Sequence, residues 1–280
     1  MSLKSVYTYG GFSAKRNLTV ADIIALKGVR KMTMVDATTR EEAEAAEAAG
    51  IDVLSIWDAA IMEVRAGAPN TFIVGALAMT DYETPDDILR AAVRVMNASA
   101  DMVYTPRGFK VVQMLADEGM SVMGHVGLIP RRSTQVGGLR AIGKTADEAM
   151  HVLDECRRYE EAGACWVEVE CMASEALAEI SKHTSLITHS IGAGIAADMM
   201  YLFMEDICGD NPDLPRHARA FGDLLSIRKQ LNDERKRALD CFKAAVESGS
   251  FPDAATSISM PSDELEKLRE ALDKRQPMHH

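Results

Sequence analysis

Short runs of apolar residues, several of them closed by an acidic residue, alternate along the chain with longer segments whose apolar positions recur at helical spacing. A short apolar run bounded by polar or turn residues is typical of a buried strand. The runs predict eight strands, of which the last is the weakest: Lys31–Asp36, Asp52–Asp58, Thr71–Met79, Asp101–Thr105, the run that begins at Val122 and ends before Pro130, Cys165–Met172, Ser185–Ile191 and Tyr201–Asp206.

The segments between these runs carry helix signals. Arg40–Ala49 is rich in Glu and Ala and is followed by Gly50, and Thr84-Pro85 supplies a cap and a first-turn proline. The other predicted helices are Leu18–Lys27, Lys110–Glu118, Thr145–Ala162 and a helical pattern throughout 215–249.

Strands that alternate with helices about eight times predict an α/β fold, a (β/α)₈ TIM-type barrel with additional C-terminal helices. A doubly wound sheet is the alternative, because periodicity cannot show whether a sheet closes. We expect a single barrel domain over 1–280, with an N-terminal extension and helix in 1–30, the barrel in 31–212, and C-terminal helices and tail in 213–280.

Charge and composition narrow the functional classes. A formal net charge of −11 argues against non-specific binding to nucleic acid. No apolar run approaches the length of a membrane span, and the N-terminus lacks the apolar core of a signal peptide. The five cysteines have no CxxC spacing, which favours reduced thiols in a cytoplasmic protein.

In a barrel, functional residues gather where the strands end. Asp58 follows an apolar run, so its carboxylate is either paired or bound to a metal, or it caps the next helix. His125 lies between Gly124 and Gly127, and a histidine inside an apolar run can simply be a satisfied core residue. The alternative is a site for an anionic ligand, which the flanking glycines and the following basic loop with Arg131 support.

Glu168 and Glu170 are two positions apart on one predicted strand, so their side chains share a face. If that face is inward, the two carboxylates share a pocket and can act as a general base or bind a cation; if it is outward, they are a solvated pair. Gly192, which follows a strand, begins a Gly-Ala-Gly turn whose backbone N–H groups could bind a carboxylate or phosphate.

These residues lie in segments that resemble the ketopantoate hydroxymethyltransferase family, within the phosphoenolpyruvate mutase/isocitrate lyase superfamily. The resemblance runs from about Lys31 to Pro252, and its most specific pieces are AGIDVLSIWD, RAGAPNTF, GHVGLIP followed by GG, AGACWVEVEC, IGAG and AVESGSFPD. It implies a (β/α)₈ barrel, a homo-oligomer (usually a decamer) in which the C-terminal helices pack against a neighbouring subunit, and Mg²⁺, or Mn²⁺ in its place. The implied reaction transfers a hydroxymethyl group from methylene-tetrahydrofolate to 3-methyl-2-oxobutanoate in pantothenate synthesis.

The resemblance assigns roles to individual residues. Asp58 matches the first metal-ligand aspartate, His125 the active-site histidine and Glu170 the base. Four other family positions differ: the carboxylate-binding serine, the second metal aspartate, the substrate-binding lysine and a glutamate correspond to Ala59, Ala76, Tyr104 and Pro106.

New polar side chains occur where the family is apolar, namely Glu168, His189 and Ser190. We therefore expect Glu170 and His125 to be catalytic and Asp58 and Glu168 to hold a cation, unless the site has dispensed with metal. The expected substrate-binding residues are Tyr104, Arg131, His189, Ser190 and Gly192.

The resemblance implies an enzyme that makes or breaks a C–C bond beside the carboxylate of a small 2-oxo acid or another small carboxylic acid. A metal-free lyase or hydrolase acting on another small acid is one alternative. A non-catalytic paralogue that binds an acid or a partner enzyme is the other.

Overall fold

The computed structural model describes residues 3–275. Its central feature is a closed barrel of eight parallel strands, which are neighbours in the order in which they occur along the chain. The expectation of a (β/α)₈ barrel is confirmed. The doubly wound sheet is excluded, because the last barrel strand pairs both with the strand before it and with the first barrel strand.

The barrel strands lie within a few residues of the predicted runs. Their bounds are β3 Met32–Asp36, β4 Val53–Trp57, β5 Phe72–Ala76, β6 Met102–Tyr104, β7 Val122–Gly127, β8 Trp166–Glu170, β9 Ile187–Ile191 and β10 Met199–Leu202. Before them, β1 Lys4–Tyr7 and β2 Ser13–Arg16 form an antiparallel hairpin that the apolar pattern did not indicate, because few of its side chains are buried.

The helices follow the strands, as expected for βα units. They are α1 Val20–Ala25, α2 Arg40–Ala49, α3 Ile61–Gly67, α4 Pro85–Asn97, α5 Phe109–Asp117, α6 Ala146–Glu161, α7 Ser174–Ile180, α8 Met204–Cys208, α9 Leu224–Glu247 and α10 Ser262–Asp273. No helix in the described part of the chain is long and apolar enough to cross a membrane.

Two sequence-based expectations near the end of the barrel were wrong. The eighth strand is Met199–Leu202 instead of Tyr201–Asp206, since Met204 already begins α8, whose first N–H is accepted by the Asp36 side chain. The segment 215–249 is not helical throughout: α9 begins at Leu224, after a stretch of turns and bends.

Side chains alternate between two apolar cores. One core fills the barrel interior and includes Met34, Val53, Phe72 and Trp166, and the other lies between the strands and the outer helices. The interior core packs the barrel below the carboxyl ends of the strands, so a cavity can form only above it.

The chain divides after Asp223 into two compact units. The first holds the barrel, and the second holds α9 and α10, which contribute no buried residues. The first two residues of the predicted N-terminal extension and the last five of the predicted tail lie outside the described residues.

Candidate functional site

A cavity of about 360 Å³ opens at the carboxyl ends of the barrel strands. Much of its wall is apolar, with side chains such as Leu77, Met123 and Ile191, and polar groups converge within it, as in many small-molecule sites. The polar and charged residues that line it are Asp36, Ser55, Tyr104, His125, Arg131, Glu168, Glu170, His189, Tyr201 and His217.

Glu168 and Glu170 both face the barrel interior. They share a face of β8 with Trp166, which belongs to the interior core, whereas the alternate residues Val167 and Val169 belong to the outer core. Glu168 is 7% exposed, and the side chain of Glu170, at the end of the strand, is 19% exposed. The deeper carboxylate is therefore enclosed by protein, while the other reaches the open part of the cavity.

His125 lies between the two carboxylates. It is the register partner of Glu168 across the β7–β8 ladder. Its Nδ1 lies 3.5 Å from Oε2 of Glu168, and its Nε2 lies 3.3 Å from Oε2 of Glu170 and 3.0 Å from the carbonyl oxygen of Leu128. A carbonyl only accepts hydrogen bonds, so Nε2 carries a proton and donates it to Leu128.

Tyr104 completes the polar contacts of this imidazole. Its hydroxyl oxygen, at the end of β6, lies 2.7 Å from Nδ1 of His125. Burial, followed by the negative charge of Glu168, raises the pKa of Tyr104 well above its usual value. The phenol therefore stays neutral and serves as a hydrogen-bonding group.

The charges of the cluster stabilise each other. Burial alone raises the pKa of Glu168, but the charge of His125 and the nearby His189 and Tyr104 outweigh it and hold that pKa well below its usual value. Burial alone lowers the pKa of His125, but Glu168 and Glu170 dominate and raise it. This environment favours an ionised Glu168 beside a protonated His125.

His189 is the register partner of Glu168 on the neighbouring strand β9. Nδ1 of its ring accepts the indole N–H of Trp166 at 2.9 Å, and its Nε2 lies 3.7 Å from Oε1 of Glu168. Among the described residues, this Nε2 is a buried nitrogen without a hydrogen-bond partner.

Asp36 brings a further carboxyl to the cavity from the end of β3. Burial raises its pKa to about 6, against the opposing effect of the Met204 N–H that it accepts. The sequence identified Asp36 only as an acid at a strand end; its contact with α8 depends on the tertiary structure.

Asp58 lies away from this cluster. It begins a short 3₁₀ helix after β4, where its carboxylate accepts the Tyr82 hydroxyl and the Ala59 N–H. It does not line the cavity, whereas Ala76 does. The structure therefore does not bring Asp58 together with Glu168, its expected partner in a cation site.

The remaining predicted substrate-binding residues differ in their access to the cavity. Arg131 is exposed and lines it. Ser190 is buried and accepts the Ala193 N–H at 3.1 Å. Gly192 has a φ of +70°, and a Cβ there would lie 3.2 Å from the side chain of His217, so a side chain at this position would crowd that histidine.

Sequence reasoning missed Ser55, Tyr201 and His217 as cavity residues. Ser55 is a small polar residue inside an apolar run, and Tyr201 lies in the weakest of the predicted strands. His217 lies in the part of 215–249 that was predicted to be helical but forms turns and bends. Ser55 and Tyr201 could have been identified only from the alternation of side chains along β4 and β10, in which every second residue faces the barrel interior.

One group of side chains in the described part of the chain could hold a metal ion. Ligand atoms of His125, Glu168 and Glu170 all lie within 4.8 Å of one another. Carboxylate oxygens suit hard divalent cations, and an imidazole suits several transition metals.

The chain is similar in sequence to a known protein family and to named members of it over most of its length. The model of the family described as ketopantoate hydroxymethyltransferase matches residues 59–254. The 3-methyl-2-oxobutanoate hydroxymethyltransferase of Pyrobaculum calidifontis is 30% identical, over 85% of this chain and 97% of its own length. That of Thermococcus kodakarensis is 31% identical, over 85% and 90%.

A solved structure shares the fold. A candidate phosphonomutase from Burkholderia cenocepacia superimposes with a TM-score of 0.54 at 12% identity, covering 79% of this chain and 100% of that one. At this identity the likeness concerns the fold alone.

Proposed function

The chain belongs to the ketopantoate hydroxymethyltransferase family, and from that premise we propose that it makes or breaks a C–C bond beside the carboxylate of a small 2-oxo acid. The observation that carries the proposal is the placement of Glu170. Its carboxylate reaches the cavity from the end of β8, 3.3 Å from a protonated imidazole nitrogen.

In the proposed reaction Glu170 is the general base. Its carboxylate takes a proton from the carbon next to the oxo group, and the electron pair of the broken C–H bond forms the new C–C bond to the methylene carbon of the one-carbon donor. Both carbon–nitrogen bonds of that methylene carbon break, and their electron pairs stay on the donor nitrogens. Water supplies the hydroxyl group, and the proton from water together with the proton taken from the acid ends on the two donor nitrogens.

Negative charge that develops on the oxo oxygen is stabilised by donors and positive charge nearby, and His125 is the charged donor closest to Glu170. We propose 3-methyl-2-oxobutanoate as the first acceptor to test, with methylene-tetrahydrofolate as the one-carbon donor.

We also propose Mg²⁺ or Mn²⁺ as a cofactor, and the donor set fits it. Glu168 and Glu170 would hold the cation through one oxygen each, since Mg²⁺ is usually bound by one or two carboxylates and completed by substrate and water. His125 fits less well, because both of its nitrogens are already hydrogen-bonded. When bound, the cation polarises the oxo group of the acid.

The experiment is exchange of the substrate C3 proton for deuterium, followed by proton NMR in D₂O. It needs no one-carbon donor, so it isolates the step assigned to Glu170. Wild-type protein should exchange the proton of 3-methyl-2-oxobutanoate or of another acid in a panel of 2-oxo acids, with Mg²⁺ or Mn²⁺ present.

Replacing Glu170 by Gln should slow this exchange by about 10²-fold or more, because general-base catalysis typically contributes that much. Glu175→Gln, at an exposed position on α7, is the matched control and should exchange as wild type does. Absence of exchange with every acid and both cations would refute the proposal and favour a non-catalytic paralogue.

A different acid is a second candidate, and two substitutions favour it. Ala76 and Tyr104 line the cavity at positions where the family has a metal aspartate and a substrate-binding lysine. We therefore include acids without a 2-oxo group in the panel, and turnover of one of these without a cation would indicate a metal-free lyase or hydrolase.

We further propose a homo-oligomer, as the family resemblance implies. Its support is a set of exposed apolar side chains on α9, which a second copy of the chain could cover: Ile227, Leu231, Leu239, Phe242 and Val246. Sedimentation or light scattering would measure the assembly, and a monomer at micromolar concentration would exclude it.

A cytoplasmic location is likewise a proposal. It is supported by the five cysteines, all of which are free thiols in the structure.

A further inference from the structure

The ring orientation and tautomer of His189 are fixed by Trp166. The indole nitrogen Nε1 carries a proton and can only donate, and it lies 2.9 Å from Nδ1 of His189. Nδ1 must therefore be the accepting nitrogen, which places the proton of the imidazole on Nε2. Both side chains are fully buried, so water does not compete for this bond.

A second aromatic contact restrains the same ring. Tyr201 packs edge-on against His189, with centroids 5.5 Å apart and planes at 86°. The indole of Trp166 contacts it in the same manner, at 5.9 Å and 79°. A rotation of the imidazole would break the Trp166 bond and disturb both contacts.

The charged group near Nε2 of His189 is the carboxylate of Glu168. Nε2 is buried and has no hydrogen-bond partner among the described residues, and Oε1 of Glu168 lies 3.7 Å away. That distance is longer than a hydrogen bond. A small movement of the Glu168 side chain toward His189 would bring the two atoms into hydrogen-bond distance. The other oxygen, Oε2, lies 3.5 Å from Nδ1 of His125, and the two histidines therefore flank the carboxylate.

We propose that Trp166 and His189 are positioning residues that orient the Glu168 carboxylate beneath the ligand, which leaves Glu170 as the carboxylate that reaches the substrate. Because its only free nitrogen carries a proton, His189 in this tautomer can neither ligate a cation nor accept a proton from the substrate. Its N–H stabilises one orientation of Glu168. The consequence for catalysis rests on the proposed function, whereas the tautomer and the His189–Glu168 contact do not.

Nitrogen-15 NMR of histidine-labelled protein tests the contact without turnover. For His189 we expect a protonated Nε2 and an unprotonated Nδ1 in the wild type, and a mixture of tautomers in Trp166→Phe. Glu168→Gln should shift the Nε2 proton resonance of His189 upfield, because the acceptor becomes neutral. A wild-type His189 with its proton on Nδ1, or a resonance that Glu168→Gln leaves in place, would overturn the inference.

The catalytic consequence is measured by the deuterium-exchange assay. Trp166→Phe and His189→Leu should lower the maximal exchange rate by about 10- to 100-fold, as loss of an outer-shell hydrogen bond typically does, with little change in KM for the acid. His189→Gln should restore most of the rate, since the Gln amide can place an N–H close to the position of Nε2.

His151→Leu is the control, because its side chain is 75% exposed and distant in sequence from the cavity residues. Equal losses in His189→Gln and His189→Leu would indicate a packing role and contradict the inference. If the wild type exchanges with no acid, the proposed function fails, and the NMR result alone still decides whether His189 positions Glu168.

Discussion

The hydroxyl oxygen of Tyr104 lies 2.7 Å from Nδ1 of His125. Burial and the charge of Glu168 keep Tyr104, at the end of β6, a neutral phenol by raising its pKa. His125, whose pKa is raised by Glu168 and Glu170 against the effect of burial, then supplies positive charge in the interior of the cavity. The positive charge of this pair therefore lies on His125 of β7, and its partner on the neighbouring strand β6 is neutral.

Replacing Tyr104 by Phe should destabilise the protein by about 1–2 kcal/mol, because a buried ring nitrogen of His125 loses its hydrogen-bond partner. Urea unfolding followed by circular dichroism measures the change. Tyr7→Phe is the control, since that side chain is 80% exposed and should leave the midpoint unchanged. Equal midpoints for Tyr104→Phe and wild type would show that the Tyr104–His125 bond adds nothing to stability.

Gly127→Ala should destabilise the protein and misplace Glu170. Gly127 has a φ of +86°, and a Cβ there would lie 2.5 Å from the carbonyl oxygen of Glu170, so backbone must move as well as adopt a left-handed conformation. We expect a loss of about 2–5 kcal/mol, the sum of the positive-φ and overpacking penalties.

Gly137→Ala is the matched control for that substitution. Its φ is +83°, but no atom lies within 4 Å of the added Cβ. It should cost about 1 kcal/mol from backbone strain alone. Similar unfolding free energies for the two variants would mean that the clash with Glu170 is relieved without cost.

Asp36→Asn should remove a pH dependence of stability. The pKa of Asp36 is raised by burial to about 6 from 3.8, so the folded state binds more protons than the unfolded state between these values. Stability contributed by the protonated form is therefore present below about pH 4 and is lost as the pH rises through 6, by up to about 3 kcal/mol.

The measurement is the free energy of unfolding of both proteins from pH 4 to 7.5. Asparagine keeps an acceptor for the Met204 N–H, so the variant should gain stability relative to wild type as the pH rises. If the difference in unfolding free energy between the variant and the wild type stays constant over this range, Asp36 titrates at an ordinary pKa.

Glu168→Gln should weaken divalent-cation binding by at least about 10-fold, because a hard cation loses one of two carboxylate ligands. Calorimetric titration with Mn²⁺ measures this, with Glu175→Gln as control. Asp58→Asn should bind as wild type does, because Asp58 lies outside the cluster. If Asp58→Asn weakened Mn²⁺ binding more than Glu168→Gln did, the cation would lie at Asp58, with Glu168 in a supporting role.

The sequence by itself determined the alternation of strands and helices, and the structure decided that the eight-stranded sheet closes into a barrel. Apolar runs and helix caps predicted the order of the strands, because burial and local hydrogen bonding leave periodic signals in the chain. The two-residue spacing of Glu168 and Glu170 determined that they share a face, and the inward placement of Trp166 decides which face it is. Where the local signal was weak, as for β10 and for the start of α9, the predicted bounds were wrong.

Only the tertiary structure decided how the polar groups pair. The β7–β8 register puts His125 beside Glu168, Trp166 fixes the tautomer of His189, and Tyr82 binds Asp58 away from the cavity. Each of these pairings joins residues that are distant in sequence. A hydrogen bond depends on the angle at its hydrogen and on a donor–acceptor distance defined to within a few tenths of an ångström. No local pattern of residues encodes either quantity.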